Sequence, residues 1–227
     1  MENIPFYISV AFGLILLLAL IIFYKAAHNS RSFLTIILLW IIIQSALSLS
    51  GFYTLSDTTP PRILLLVSPP VLFIILLFTT KSGRKFIDNL DLKYLTILHM
   101  LRILVEFILL DLYTYEVIPQ IMTFEGRNFD ILSGLTAPII YYLAFVKKNL
   151  NKNLFLAWNL ICMALLINVV AHGILATPGK LQQIAFDQPN IAIQYFPFNL
   201  LPGFLVPLIL FAHLATIRKT RELPKLQ

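Results

Sequence analysis

The chain has 227 residues, of which 59% are hydrophobic and only 12% are charged, and its net charge at pH 7 is +6. Since a typical soluble domain has about 25% charged and roughly 45–50% apolar residues, this composition excludes a water-soluble globule and an intrinsically disordered chain. The single cysteine, Cys162, excludes an internal disulfide and lies in an apolar run, where a reactive thiolate is not expected.

Seven apolar stretches are long enough to be membrane-spanning helices, since a bilayer core about 30 Å thick requires roughly 20 mostly apolar residues per helix. Their apolar runs do not alternate with polar residues in the way that β-barrel strands do. The sequence therefore predicts an all-α integral membrane protein in which residues 1–227 form a single seven-helix bundle without a separate soluble domain. In chain order, the predicted spans are 5–24, 33–53, 63–80, 95–113, 131–146, 154–176 and 191–216.

Basic residues concentrate on one side of this predicted topology. Only Arg62, Arg127 and Lys180 lie in connections on the opposite side. The positive-inside rule therefore predicts an outside N-terminus and a cytoplasmic C-terminus, in a plasma or bacterial inner membrane. Anionic lipid headgroups of the bilayer then explain the net charge without a nucleic-acid partner. The thirteen basic residues on the predicted cytoplasmic side are Lys25, Arg31, Lys81, Arg84, Lys85, Lys93, Lys147, Lys148, Lys152, Arg218, Lys219, Arg221 and Lys225.

The predicted fourth span carries three ionisable residues, His99, Arg102 and Glu106. At about 100° per residue they fall within an arc of about 60°, so they share one face of a helix. Arg102 and Glu106 stand four positions apart, close enough to form an ion pair. Because a charge within a span costs at least about 2.5–3.5 kcal/mol, such residues normally face the bundle interior and indicate a binding or proton-handling site. The alternative is an ion pair that only fixes how the helix packs.

The connection between the fourth and fifth predicted spans, 116–130, alternates hydrophobic residues with charges, among them Glu125, Arg127 and Asp130. Two interpretations stay open. The segment can dip back between the helices, where protein or trapped water satisfies its backbone, or it can be an interfacial loop. In the second case Asn128 or Asp130 would cap the fifth helix.

The predicted sixth and seventh spans add Asn168, His172 and Asn199 in the same outer half as Glu106. We expect His172 and Asn199 to form walls of a cavity, although hydrogen bonds between helices also explain single Asn residues in a membrane. His213, near the cytoplasmic end of the seventh span, is predicted to be interfacial rather than a ligand. The prolines of the third and seventh spans would provide the bending that alternating access requires.

No sequence motif identifies a cofactor, a metal site or a catalytic nucleophile. The chain has no His-Glu-x-x-His or Cys-x-x-Cys motif, and its four histidines are far apart. It has no glycine-rich phosphate loop. No lysine that could hold a retinal chromophore lies between residues 191 and 217.

These observations predict an outward-facing polar cavity that binds or transports a small polar solute or a lipid headgroup, with Glu106 able to take up a proton. One alternative is an intramembrane enzyme, with or without a metal, that acts on a lipid-borne substrate. A second is a scaffold or accessory subunit in which the charges only hold helices together. The residues predicted to bind the ligand are His99, Arg102, Glu106, Glu125, Arg127, Asp130, Asn168, His172 and Asn199.

Overall fold

The computed structural model describes residues 4–222, and all regular secondary structure in that range is helical. The prediction of an all-α protein is therefore confirmed. Short 3₁₀ turns at Phe52–Thr54, Gln120–Met122 and Ala192–Gln194 lie in the connections. The α-helices are α1 (Phe6–Ala26), α2 (Arg31–Leu49), α3 (Leu64–Thr79), α4 (Lys81–Asn89), α5 (Leu92–Leu98), α6 (Leu101–Thr114), α7 (Ile131–Tyr141), α8 (Lys152–Leu175) and α9 (Val206–Glu222).

Several of these helices meet the length and composition that a membrane span requires. α3 and α4 meet them only as a pair, bent by 92°. α7 with its π-helical extension, Ile131–Val146, is shorter. These helices support a membrane protein, whereas the count of seven spans and the orientation stay predictions. Within residues 4–222, the four helices that are long and apolar enough by themselves are Phe6–Ala26, Arg31–Leu49, Lys152–Leu175 and Leu201–Glu222, the last of which begins with a π-helical turn.

The predicted fourth span is divided into two helices, α5 and α6, which meet at His99 and Met100. Through this break the backbone amides of residues 99, 100, 102 and 103 each bond to the carbonyl three positions earlier, so the turn is tighter than an α-helix. The break leaves His99 at the end of α5 and Arg102 in the first turn of α6, and both side chains are buried.

α4 folds back against the end of α3 because the chain turns at Thr80. Thr80 is extended, and its hydroxyl accepts a hydrogen bond of 3.1 Å from the amide of Gly83, which starts α4. The helices approach so closely that a Cβ atom on Gly83 would lie 2.3 Å from the carbonyl oxygen of Leu77. α4 buries Ile87 and exposes basic side chains, the pattern of an amphipathic helix that lies along a membrane interface.

One end of the bundle, here called the loop face, is formed by three long connections. The amides of Ile191 and Ala192 both donate to the carbonyl oxygen of Val117, at 3.0 and 3.1 Å. The 115–130 connection is therefore tied to the chain that leads into α9. The loop face consists of residues 50–63, 115–130 and 176–200.

The opposite end, here called the basic face, carries most of the described lysines and arginines. Arg218 of α9 pairs there with Asp88 of α4, and the amide of Asp91 donates to the carbonyl oxygen of Ala26 at 2.9 Å. Lys225, which the sequence analysis assigned to this side, lies outside the described residues. The basic face consists of residues 26–31, 80–93, 147–152 and 218–222.

Large apolar side chains cover much of the outer surface of the long helices. On α2, for example, Leu39, Ile42 and Ile43 are each more than half exposed. The core lies between α1, α5, α6, α8 and α9, and α9 is buried along most of its length. A continuous apolar surface of this kind indicates contact with lipid.

Candidate functional site

A buried arginine and a buried aspartate form the centre of the site. Arg102, at the start of α6, is 1% exposed. Its Nε donates to Asp130 Oδ2 at 2.6 Å, and its Nη2 donates to Asp130 Oδ1, so the pair is bidentate. The predicted partner of Arg102 was Glu106, and that prediction is wrong. Asp130, just before α7, pairs with the guanidinium instead, and its side chain does not cap α7.

Glu106 lies one turn further along α6 and is held by the 115–130 connection. The side-chain amide of Asn128 donates to Glu106 Oε1 at 2.6 Å and to the carbonyl oxygen of Met122 at 2.9 Å. Asn128 Oδ1 in turn accepts from the backbone amide of Asp130 at 2.9 Å. One asparagine therefore links the segment that carries Asp130 to the carboxylate of Glu106.

On its other side, Arg102 contacts α8 and α9. Its Nη2 donates to the carbonyl oxygen of Cys162 at 3.0 Å, and its Nη1 lies 3.0 Å from His213 Nε2. Because a guanidinium only donates, His213 Nε2 accepts and the ring proton resides on Nδ1. Nδ1 then donates to Asn159 Oδ1 at 3.1 Å. His213 is fully buried, so the prediction that it is interfacial is wrong.

His99 lies against His213 without a hydrogen bond. The two rings stack with centroids 3.9 Å apart and planes 18° apart, and Trp158 meets His99 edge-on at 5.6 Å. His99 is fully buried, and neither of its ring nitrogens has a partner within residues 4–222. His99 therefore belongs to the cluster by packing and not by hydrogen bonding.

A cavity of about 220 Å³ opens beside this cluster, between α3, α6, α8 and the segment that leads into α9. Arg102, Glu106 and Asp130 line it at one end. Its other walls are almost entirely apolar, and include Val67, Val105, Leu166, Val170, Ile193 and Leu205.

The entrance to the cavity lies between α3 and α8. Leu64 of α3 and Ile167 and Ile174 of α8 line the cavity and are themselves 42%, 54% and 38% exposed. Towards the loop face, Met122 lies against Gly173, where an added Cβ atom would be 3.2 Å from the methionine methyl. The cavity is thus covered at the loop face and open at its apolar side.

Two oxygen atoms of residues that line the cavity have no hydrogen-bond partner within residues 4–222. They are Oε2 of Glu106 and Oδ1 of Asn190, whose amide nitrogen donates to the carbonyl oxygen of Gly173 at 3.2 Å. An unpaired buried acceptor costs about 1–3 kcal/mol, so a donor from water or a ligand is expected there.

Residues 60–221 match a protein-family model described as "Domain of unknown function (DUF8737)", over more than half of the chain. The chain belongs to the DUF8737 family. No curated protein matches the chain, and no solved structure matches it. The DUF8737 region contains Arg102, Glu106, Asp130, His213 and every residue that lines the cavity, and it leaves out α1 and α2.

Four predicted ligand residues lie elsewhere in the DUF8737 region. Glu125 and Arg127 are on the loop face, outside the cavity. Asn168 donates to the carbonyl oxygen of Arg127 at 3.0 Å, and His172 Nδ1 lies 2.8 Å from the carbonyl oxygen of Asn168. None of these four described residues lines the cavity.

Asn199, the remaining predicted wall residue, belongs to a second buried polar cluster. Its side-chain amide donates to the carbonyl oxygen of Gln44 at 3.1 Å, and the hydroxyl of Tyr53 donates to Gln44 Oε1. Ser48 donates to the carbonyl oxygen of Gln194 at 3.3 Å. This cluster joins α2 to the DUF8737 region and stands apart from the ion pair.

Sequence reasoning missed the roles of Asn128, Asn159, Asn190 and His213. The position of Asn128 beside Asp130 in a charged connection was a usable signal. His213 lies 111 positions from Arg102, and nothing in the sequence indicates that the two side chains are in contact. Within residues 4–222, no three His, Cys, Asp or Glu side chains are grouped closely enough to hold a metal ion.

Proposed function

We propose that this protein binds the head of an amphipathic, lipid-borne molecule in the cavity beside Glu106 and transfers or presents it across the bundle. One observation carries the proposal: an apolar cavity opens sideways between α3 and α8 and ends beside the Arg102–Asp130 pair at Glu106 Oε2, which has no hydrogen-bond partner among the described residues. Apolar walls with a few convergent polar groups are typical of small-molecule sites.

The direction of the opening favours a lipid over a water-soluble solute. A solute arriving from water at the loop face would meet Met122 packed on Gly173, and the 115–130 connection bonded to the segment before α9. A molecule already in the bilayer meets only apolar side chains, among them Leu64 and Ile167. The proposal therefore retains the lipid headgroup of the sequence-based hypothesis and not the small polar solute.

The charges at the end of the cavity favour a head that donates hydrogen bonds. Asp130 already neutralises Arg102 through two hydrogen bonds. Among the described residues that line the cavity, the acceptors without a partner are Glu106 Oε2 and Asn190 Oδ1. A hydroxyl or an ammonium group supplies the missing donors, whereas a carboxylate or phosphate would place a second negative group beside Glu106.

The size of the cavity limits how much of the molecule it holds. At about 220 Å³ it is smaller than the roughly 300–1,000 Å³ of typical ligand sites. The head and the first part of a chain fit, and the rest of the chain would extend through the α3–α8 opening into the bilayer.

The proposal includes the topology that the sequence predicts. Seven spans with an outside N-terminus would orient the loop face outward and the basic face toward the cytoplasm. The asymmetry of lysine and arginine between the two faces supports this orientation.

The test uses three probes with the same C16 chain and different heads: hexadecan-1-ol, hexadecylamine and palmitic acid. Thermal unfolding of the purified protein in nanodiscs is followed with each probe. We expect the alcohol and the amine to raise the melting temperature more than palmitic acid does. Glu106→Gln should abolish the effect of the amine, because it removes the negative charge that the ammonium group would pair with.

Glu125→Gln is the matched control, since Glu125 lies on the loop face and outside the cavity. It should respond to the probes like the wild type. Equal stabilisation by all three probes, or loss of the amine effect in both variants, would contradict the proposal.

A further inference from the structure

A second groove lies on a different side of α3 from the cavity, between α2, α3 and α9. Its volume is about 350 Å³, and it extends from the Pro69–Pro70 region to Phe33 and Leu77. The described residues that line it are all apolar, and their one side-chain donor, Trp40 Nε1, is already bonded to the carbonyl oxygen of Gly203 at 2.7 Å. The groove itself therefore suits an apolar occupant, such as a hydrocarbon chain.

One end of the groove reaches the basic face. Phe33, in the first turn of α2, lines the groove and stacks on Phe86 of α4 with ring centroids 4.7 Å apart. Leu77 lines it from the last turn of α3, directly before the bend into α4. The amphipathic helix α4 therefore lies at the mouth of the groove.

Three cations belong to the helix ends that form this mouth. Arg31 precedes Phe33 by two positions, and Lys81 and Lys85 are on α4; all three are exposed. Among the described residues, none of the three takes part in a salt bridge. The nearby carboxylate of Asp88 is already paired with Arg218, at 2.9 and 3.1 Å.

We propose that the α2–α3 groove binds an anionic phospholipid from the leaflet at the basic face, with one acyl chain in the groove and the phosphate beside Arg31, Lys81 and Lys85. Two independent observations support this occupant: the wholly apolar walls select a chain, and the cations at the mouth select a negative head. This site differs from the proposed ligand cavity in position and in the charge it prefers, so it does not rest on the proposed function.

Lipid binding to the delipidated protein is measured by native mass spectrometry, with dioleoyl phosphatidylglycerol and dioleoyl phosphatidylcholine as probes. We expect preferential binding of the anionic lipid. Each basic residue near an anionic headgroup contributes about fivefold, so replacing all three by glutamine should weaken phosphatidylglycerol binding on the order of 100-fold. Phosphatidylcholine binding should change little.

Two further variants make the test specific. Lys147→Gln, Lys148→Gln and Arg221→Gln together remove the same charge from the basic face away from the groove, and should leave phosphatidylglycerol binding intact. Ile36→Trp fills the groove from a position that is 48% exposed, so it should weaken binding while the protein stays folded.

The proposal is overturned if the two lipids bind equally or if Ile36→Trp binds phosphatidylglycerol normally. It is also overturned if the control triple variant loses as much affinity for phosphatidylglycerol as the variant in which Arg31, Lys81 and Lys85 are replaced. A dimer that forms in place of the lipid complex, and that Ile36→Trp dissociates, would also overturn it, since a second copy of the chain would then occupy the groove.

Discussion

Two arginine–carboxylate pairs in this chain are both bidentate and have different surroundings. The side chains of Arg102 and Asp130 are 2% and 7% exposed, whereas those of Arg218 and Asp88 are 27% and 39% exposed. An exposed pair is typically worth about 0–1 kcal/mol, but removal of one partner of a buried pair costs about 3–5 kcal/mol.

The difference between the pairs bears on function. Replacing both partners of a buried pair by apolar residues is often neutral or stabilising, so a buried pair is weak evidence of selection for stability. Arg102 also orients His213, and Asp130 is tied to Asn128 and hence to Glu106. The buried pair therefore holds a polar end wall for the cavity, while the exposed pair attaches α4 to α9.

The largest expected effect comes from breaking the buried pair. Arg102→Leu and Asp130→Leu should each lower the free energy of unfolding by about 3–5 kcal/mol, because each leaves one buried charge without its partner. The double variant should be more stable than either single one. Reversible unfolding in mixed micelles measures all three, and a double variant that loses the sum of the single losses would show that the two side chains are not coupled.

The next effect distinguishes the two stacked histidines. His213→Phe should lower the free energy of unfolding by about 1–3 kcal/mol, because Arg102 Nη1 and Asn159 Oδ1 each lose a partner. His99→Phe keeps the stacked ring and removes no hydrogen bond between the described residues, so its cost should be below about 1 kcal/mol. The same unfolding measurement on both variants tests this difference. A His99→Phe variant as unstable as His213→Phe would contradict the assignment of the hydrogen bonds to His213 alone.

A glycine beside the buried pair allows a test of its geometry. A Cβ atom on Gly134 would lie 2.6 Å from Ile103 Cγ1 and 2.9 Å from the Ile103 amide nitrogen, so Gly134→Ala forces α7 away from α6. The expected cost is about 1–3 kcal/mol of unfolding free energy. Gly13 of α1 serves as the control, because a Cβ atom there would point into open space. Gly13→Ala should be neutral or slightly stabilising, and equal losses in the two variants would refute the steric explanation.

The smallest effect is expected at the exposed pair. Arg218→Gln removes the contacts to Asp88 and to Glu222, which lies 3.0 Å from the guanidinium. The loss should be below about 1 kcal/mol and should shrink further at high salt, because added ions screen exposed charges. Melting curves at low and high salt provide the measurement, and a salt-independent loss of several kcal/mol would mean that this pair behaves like the buried one.

Part of the site follows from helical periodicity. His99, Arg102 and Glu106 fall within one arc of a helix, and all three are buried. The actual partners of Arg102 come from other segments: Asp130 from an irregular connection and His213 from α9. A single sequence contains the period of each helix and no information on which helix faces meet, so those pairings were not predictable from it.

The fold was predictable to a similar extent. Apolar length indicated the helices, but not the break between α5 and α6, because His99 and Met100 are neither proline nor glycine and do not signal a stop. The fold-back of α4 had a signal in Thr80 and Gly83, a capping residue and a small residue at the point of close approach. The cavity had no such signal in the sequence, because it arises from the distance between α3 and α8 in the folded chain.

The most direct test of the central claim is native mass spectrometry of the protein extracted with its own lipids in a mild detergent. We predict a retained stoichiometric adduct, identified after release as an amphipathic molecule with a hydroxyl or amine head. Val170→Trp, which fills the cavity, should lose this adduct, and Ile36→Trp, which fills the α2–α3 groove, should keep it. A protein mass without an alcohol or amine adduct, or such an adduct that survives Val170→Trp, would contradict the proposal that the cavity is the ligand site.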